Sequence, residues 1–139
     1  MLRQNLHRWV CACIILEGCN TKLYSFDVGR HKDSTPIAVE VVDEYFPERH
    51  TYIEGDSKET LKEFNEQLDF AFVDGGHDKE TCLSDIENFD RCLSAGGIML
   101  VDDAHQSGVG NAIKSFDWEG YEELEVDNYE HKAKLYKKL

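Results

Sequence analysis

Residues 68–105 read LDFAFVDGGHDKETCLSDIENFDRCLSAGGIMLVDDAH, and the patterns within this stretch decide the fold. Phe70 to Val73 is a continuous apolar run, as expected of a strand buried on both faces. It stops at Asp74-Gly75-Gly76-His77-Asp78. Asp78 can cap a helix carrying Cys82, Ile86, Phe89 and Leu93 on one face, and Gly96-Gly97 is expected to end that helix. Ile98 to Val101 is a second fully apolar strand, closed by Asp102-Asp103. Strand, helix and strand at this spacing make a parallel pair with a helical crossover.

The same alternation extends in both directions. Upstream, Lys22 to Val28 (KLYSFDV) reads as a strand ending at Gly29. Thr35-Pro36 opens a helix with Ile37, Val41, Val42, Tyr45 and Phe46 at helical spacing, and Pro47 stops it. Thr51 to Glu54 is a short strand. Asp56 or Ser57 can cap the next helix, whose apolar positions are Leu61, Phe64 and Leu68. Downstream, a helix carries Val109, Ala112, Ile113 and Phe116. Two lysine-bearing, alternating strands close the chain, Tyr121–Val126 and Lys132–Tyr136, suited to antiparallel edge or near-edge positions. The expectation is an α/β fold, doubly wound around a mostly parallel sheet with a C-terminal antiparallel strand pair.

At 139 residues the chain is expected to form a single domain, residues 1–139, with a real core. Its net charge of −13 is repelled by phosphate backbones and anionic lipid, so neither nucleic acid nor a membrane is an expected partner. No apolar run approaches the ~20 residues of a bilayer span. The five cysteines, Cys11, Cys13, Cys19, Cys82 and Cys92, are odd in number and form no C-x-x-C pair. A disulfide scaffold or zinc site is therefore not expected, and a reducing cytoplasm fits best. Arg3 and Arg8 ahead of the apolar run Trp9–Leu16 have the outline of a short secretory signal. Glu17 opposes cleavage there, so the run is read as a buried helix.

Ligands of parallel sheets bind beyond the carboxyl ends of the strands. Each parallel strand here ends in an acid: Asp27, Asp56 two residues past its strand, Asp74, and Asp102 with Asp103. Like charges gathered at one edge repel unless they bind a cation or hydroxyl groups. Helix capping accounts for Asp56 and Asp78, and less well for Asp27; Asp74 lies too early to cap. Three carboxylates without sulfur ligands, Asp74, Asp102 and Asp103, suit a hard divalent ion such as Mg²⁺. His77 and His105 lie close by in sequence, and a histidine there can act as general base or be a plain loop residue.

Together, LYSFDVG (23–29), YIEGDS (52–57), LDFAFVDGGHD (68–78) and AGGIMLVDDAH (95–105) resemble class I S-adenosylmethionine-dependent methyltransferases. Within them they are similar to the branch of metal-dependent sugar and macrolide O-methyltransferases and cephalosporin-hydroxylase-like proteins. The similarity covers residues 22–139, including GVGNAIKSF (108–116). It implies a Rossmann-like methyltransferase fold and methylation of a small hydroxylated substrate. It also implies that Asp27 holds the cofactor ribose, that Asp56 and Ser57 lie by the adenine, and that Asp74, Asp102 and Asp103 bind Mg²⁺ or another hard cation. His77 matches the base of some members. The metal would hold vicinal hydroxyls and lower the pKa of one, and the oxygen would attack the sulfonium methyl.

The family's first strand and its glycine-rich loop, which cradles the methionine end of the cofactor, have no counterpart upstream of Lys22. Too few residues separate Gly18 from the next strand for a parallel crossover, so Trp9–Leu16 is read as the helix after that loop. A fragment, a misassigned start and a degenerate relative all fit this departure. The alternative to an enzyme is a non-catalytic or truncated remnant that keeps an acidic, metal-binding edge. A response-regulator pocket is disfavoured, because those proteins carry their acid pair after the first strand. The acceptor substrate and the oligomeric state, a homo-oligomer included, stay open.

Overall fold

A computed structural model of the chain describes residues 3–125 and 132–139. The elements are α1 (Arg3–Gly18), β1 (Leu23–Asp27), α2 (Thr35–Tyr45), β2 (His50–Glu54), α3 (Ser57–Glu63), β3 (Leu68–Val73), α4 (Lys79–Cys92), β4 (Leu93–Val101), α5 (Ser107–Ser115), β5 (Tyr121–Leu124) and β6 (Lys134–Lys138). They gather into two compact units, Met1–Asp56 and Ser57–Leu139.

In the first unit β1 and β2 pair in parallel, from Leu23 opposite His50 to Asp27 opposite Glu54. The run Trp9–Leu16 is helical, as expected, but it is only partly buried: it sinks Ala12 and Leu16 while Val10 and Ile14 are exposed. Trp9 sets its ring against His50 and Tyr52, with centroids 6.0 Å apart in each case. A helix leaves its last carbonyls without internal partners. Arg49 supplies them at the end of α1: its Nη2 donates to Leu16 O at 2.6 Å and to Cys19 O, and its Nε donates to Thr21 O at 3.0 Å. Pro36 stands in the first turn of α2, and Val42 is its buried anchor.

In the second unit the strand order is β3-β4-β6-β5. β3 and β4 run parallel, while β6 runs antiparallel to both β4 and β5. The expected closing pair is thus present, with β6 reaching inward to β4. Val126, the last residue of the expected fifth strand, lies outside the described residues. Ala71 and Val73 of β3, Met99 and Val101 of β4 and Tyr136 of β6 are buried in the sheet. Cys82, Ile86 and Phe89 of α4, Leu61 of α3 and Val109 and Ala112 of α5 are buried on the helices. Full burial of a side chain such as Ile86 contributes about 1.5–3 kcal/mol. Tyr121 Oη donates to Asp90 Oδ1 at 2.6 Å and Lys138 Nζ to the same oxygen at 2.9 Å, tying β5 and β6 to the end of α4. Arg91 fans across the end of α3, donating to Leu61 O at 2.8 Å, Lys62 O at 3.3 Å and Phe64 O at 2.9 Å.

Several local expectations are corrected: Phe64 lies past the end of α3, Leu93 lies in β4 and not on the face of α4, and Phe70 is exposed rather than buried on both faces of its strand. Leu68 is the first residue of β3, not a position on α3, which ends at Glu63. Gly96-Gly97 does not end α4. That helix stops at Cys92, and β4 begins at once with Leu93. The pairing steps from Leu68 opposite Leu93 to Phe70 opposite Ile98, so β4 carries three extra residues in a bulge. Gly96 takes φ +80° there, and a Cβ on Gly97 would come within 2.9 Å of the Leu93 side chain. The glycines serve the bulge, where positive φ and close approach are needed.

Candidate active site at the carboxyl ends of β3 and β4

Parallel pairing brings the acids together. Val73 stands opposite Val101, and Asp102 N donates to Val73 O at 3.0 Å, so both strands release their chains side by side. The chain then turns sharply at Asp103, whose φ of +53° is left-handed. Asp is among the few residues with a side chain that tolerates this region. Asp102 braces the turn: its Oδ1 accepts from Asp103 N at 2.8 Å.

The result is a cluster of Asp74, His77 and Asp103, whose candidate ligand atoms all lie within 4.8 Å of one another. His77 Nε2 lies 3.1 Å from Asp103 Oδ2, and His105 Nδ1 lies 3.8 Å from Asp103 Oδ1. The Asp103 side chain is 29% exposed and that of His77 45%, so the site is open to a ligand while its acid is partly shielded. Of the three expected metal ligands, Asp74 and Asp103 converge, and His77 joins them. Asp102 faces its neighbour's backbone and is not among the three. Asp78 caps α4, accepting from Thr81 N at 2.9 Å, and that bond holds its carboxyl below the usual range. Burial pushes the Cys82 thiol up to about 11, helped by the charges of Asp85 and Asp78, which suits a core residue and not a nucleophile.

The residues expected at the cofactor lie in the first unit, apart from Ser57, which opens α3. Asp27 ends β1, and its Oδ1 accepts from Gly29 N at 2.7 Å. Gly29 has φ +70°, and a Cβ there would sit 2.7 Å from Glu54 Cδ. Gly55 N donates to Asp27 O at 2.9 Å, which leaves the exposed Asp56 one residue beyond that pairing. Glu54, directly opposite Asp27, is an acid of this edge that the sequence reading passed over. The signal was present, since its strand ends in Ile-Glu-Gly-Asp. Burial raises the Tyr52 hydroxyl, and the charges of Asp27 and Glu54 raise it further. A cavity of about 700 Å³ between α2 and β2 takes in Tyr52 and Glu54 but neither Asp27 nor Asp56.

A family model described as a methyltransferase domain matches residues 7–104. The chain belongs to this family. No curated protein matches it. Among solved structures, it is similar to a TDP-rhamnose 3'-O-methyltransferase of calicheamicin biosynthesis. The two are 16% identical with a TM-score of 0.66, over 84% of this chain and 57% of the other. It is also similar to an rRNA methylase from Streptococcus thermophilus, at 17% identity and TM-score 0.58, over 85% and 74% of the two chains. A Podospora anserina methyltransferase with SAH bound matches at 19% identity and TM-score 0.56, over 86% and 59%. At these identities the likeness shows the fold: the Rossmann-like α/β arrangement of methyltransferases. The chain spans 57% of the length of the first of these structures. Among the described residues no helix is long and apolar enough to cross a membrane.

Proposed function

We propose that this protein is an S-adenosylmethionine-dependent O-methyltransferase of a small hydroxylated molecule, assisted by a hard divalent cation. The observation that carries the reading is the convergence of Asp74, His77 and Asp103 beyond β3 and β4, in a chain of the methyltransferase-domain family. Two carboxylates without sulfur fit Mg²⁺ or Mn²⁺, with water and substrate oxygens completing the shell, and the His77 imidazole stands beside them as the base. Bound there, the cation would supply Lewis acidity, lowering the pKa of a substrate hydroxyl. S-adenosylmethionine would supply the electrophilic methyl group.

The chain's own residues orient the reactants and handle the proton. Asp74 and Asp103 present carboxylate oxygens to the cation. His77, whose Nε2 stands 3.1 Å from Asp103 Oδ2, is assigned the role of accepting the hydroxyl proton. Asp27, with its carboxylate fixed by Gly29 N, is assigned to the cofactor ribose, and Asp56 and Ser57 to the adenine end. Solved structures of this fold include a sugar O-methyltransferase and an rRNA methylase. The net charge of −13 favours a small acceptor over RNA.

The test has two arms. Mn²⁺ titration followed by electron paramagnetic resonance should show one bound ion, lost in Asp103→Asn. Transfer from radiolabelled S-adenosylmethionine to catechol-like or sugar acceptors should depend on Mg²⁺. Mn²⁺ binding unchanged in Asp103→Asn would overturn the metal assignment, and transfer insensitive to chelator would overturn the mechanism.

A further inference from the structure

The loop that carries Asp74 and His77 is packed more closely than its glycine-rich sequence requires for a simple turn. A Cβ on Gly76 would lie 2.7 Å from Thr81 Cγ2, and one on Gly75 would lie 3.0 Å from Oδ2 of the buried Asp85. The tightest approach comes from another element. In the first turn of α5, a Cβ on Gly108 would sit 2.0 Å from the carbonyl oxygen of His77 and 3.1 Å from Asp78 Cα. Cβ atoms essentially never come within 3.0 Å of another heavy atom in this way, and the atom met is backbone, which cannot swing aside.

Gly108 and Asp103 belong to one compact piece of chain. Gln106 N donates to Asp103 O at 2.8 Å, and Gly110 N donates to Gln106 O at 2.8 Å. A Cβ on Gly110 would already be 3.1 Å from Ala104 O. Seating Gly108 on the His77 carbonyl therefore fixes how far Asp103, five residues before Gly108, stands from His77, which lies 3.1 Å from it across the site.

We propose that Gly108 is a positioning residue, which sets the spacing of Asp103 from His77 and Asp74 by its direct contact with the His77 backbone. The inference rests on the reading of Asp74 and Asp103 as cation ligands with His77 beside them. Any side chain at position 108 lifts the start of α5 and carries Asp103 away. Residues that orient ligands typically change metal affinity about 10–100-fold when replaced.

The experiment compares wild type, Gly108→Ala and Val109→Ala by Mn²⁺ titration well below their melting temperatures. Val109 is buried on the same turn, so its truncation loosens α5 without pressing on His77. Gly108→Ala should lose affinity at least ~10-fold, while Val109→Ala melts earlier but binds as wild type does. Adding Asp103→Glu, one methylene longer, should restore part of the loss. Equal affinity in wild type and Gly108→Ala, or equal losses in both variants, overturns the proposal. If Gly108→Ala does not fold, Gly110→Ala, which presses on Ala104 O, takes its place with a smaller loss, and no loss overturns the proposal equally. If wild type binds no Mn²⁺, the cation reading has failed. The spacing is then read from His77 ring signals by NMR in metal-free protein. Gly108→Ala must shift them and Val109→Ala must not; unshifted signals overturn the proposal.

Discussion

Two carboxylates held within 4.8 Å make the site costly to the empty fold, so Asp74→Asn should change the sign of its effect with metal. At an effective dielectric of about 20 the repulsion between unit charges at 4.8 Å is about 3.5 kcal/mol. Asp103 is 29% exposed and Asp74 half-buried, so water screens much of this, and about 1 kcal/mol is the expected gain on neutralising Asp74. Asparagine keeps the size and one acceptor oxygen. In chelator at pH 8 the variant should melt about 4 °C above wild type. In Mg²⁺ at ten times its Kd, wild type gains about 1.4 kcal/mol by mass action, and the variant gains little. The order of the two melting temperatures should therefore reverse on adding Mg²⁺, as followed by circular dichroism. A variant less stable than wild type in chelator, with no response of either protein to Mg²⁺, would refute the reasoning.

In a form active in methyl transfer, His77→Ala should lower turnover ~10²–10⁴-fold with cofactor affinity nearly unchanged, and His105→Ala should do less; steady-state kinetics with cofactor titration checks both. Ile86→Ala opens a cavity at a fully buried site and should cost about 2–5 kcal/mol in urea unfolding. Burial works to raise the Asp90 carboxyl, but hydrogen bonds from Tyr121 and Lys138 and the Lys138 charge outweigh it and hold it low. A depressed carboxyl stabilises the fold above its unfolded value and loses that contribution as pH falls through the folded one. Wild type should thus exceed Tyr121→Phe in stability at neutral pH, with the gap closing below about pH 4 in acid-unfolding curves.

Much of the architecture is legible because its signals are local. The apolar runs Phe70–Val73 and Ile98–Val101 are strands as expected, though burial alternates along them and Phe70 is exposed, and Asp78 announces a cap that the structure contains. What escaped depends on geometry that periodicity does not record. The glycine pair at 96–97 carries the same letters whether it ends a helix or sits in a bulge, and only the register against β3 decides. Asp102 and Asp103 are indistinguishable as neighbours in sequence. The left-handed turn at Asp103 sends one carboxylate into the cluster and the other onto the backbone. Asp85 gave a readable sign, a charge within the apolar stripe of Cys82, Ile86 and Phe89. Gly108 gave none, because its constraint comes from His77, which lies 31 residues earlier.

Arg91 shows how a residue far from any chemistry can be intolerant of its nearest substitute. Its planar fork reaches three carbonyls around the end of α3 and also Asn65 Oδ1 at 2.9 Å. Lysine carries the same charge but offers one compact ammonium, which cannot span that arc. The seven-residue α3 has too few turns to hold itself, so its integrity is lent by a side chain of α4. Divergence at position 91 between otherwise similar chains would therefore mark a rebuilt α3, and an exchange that similarity tables score as mild would here be structurally severe.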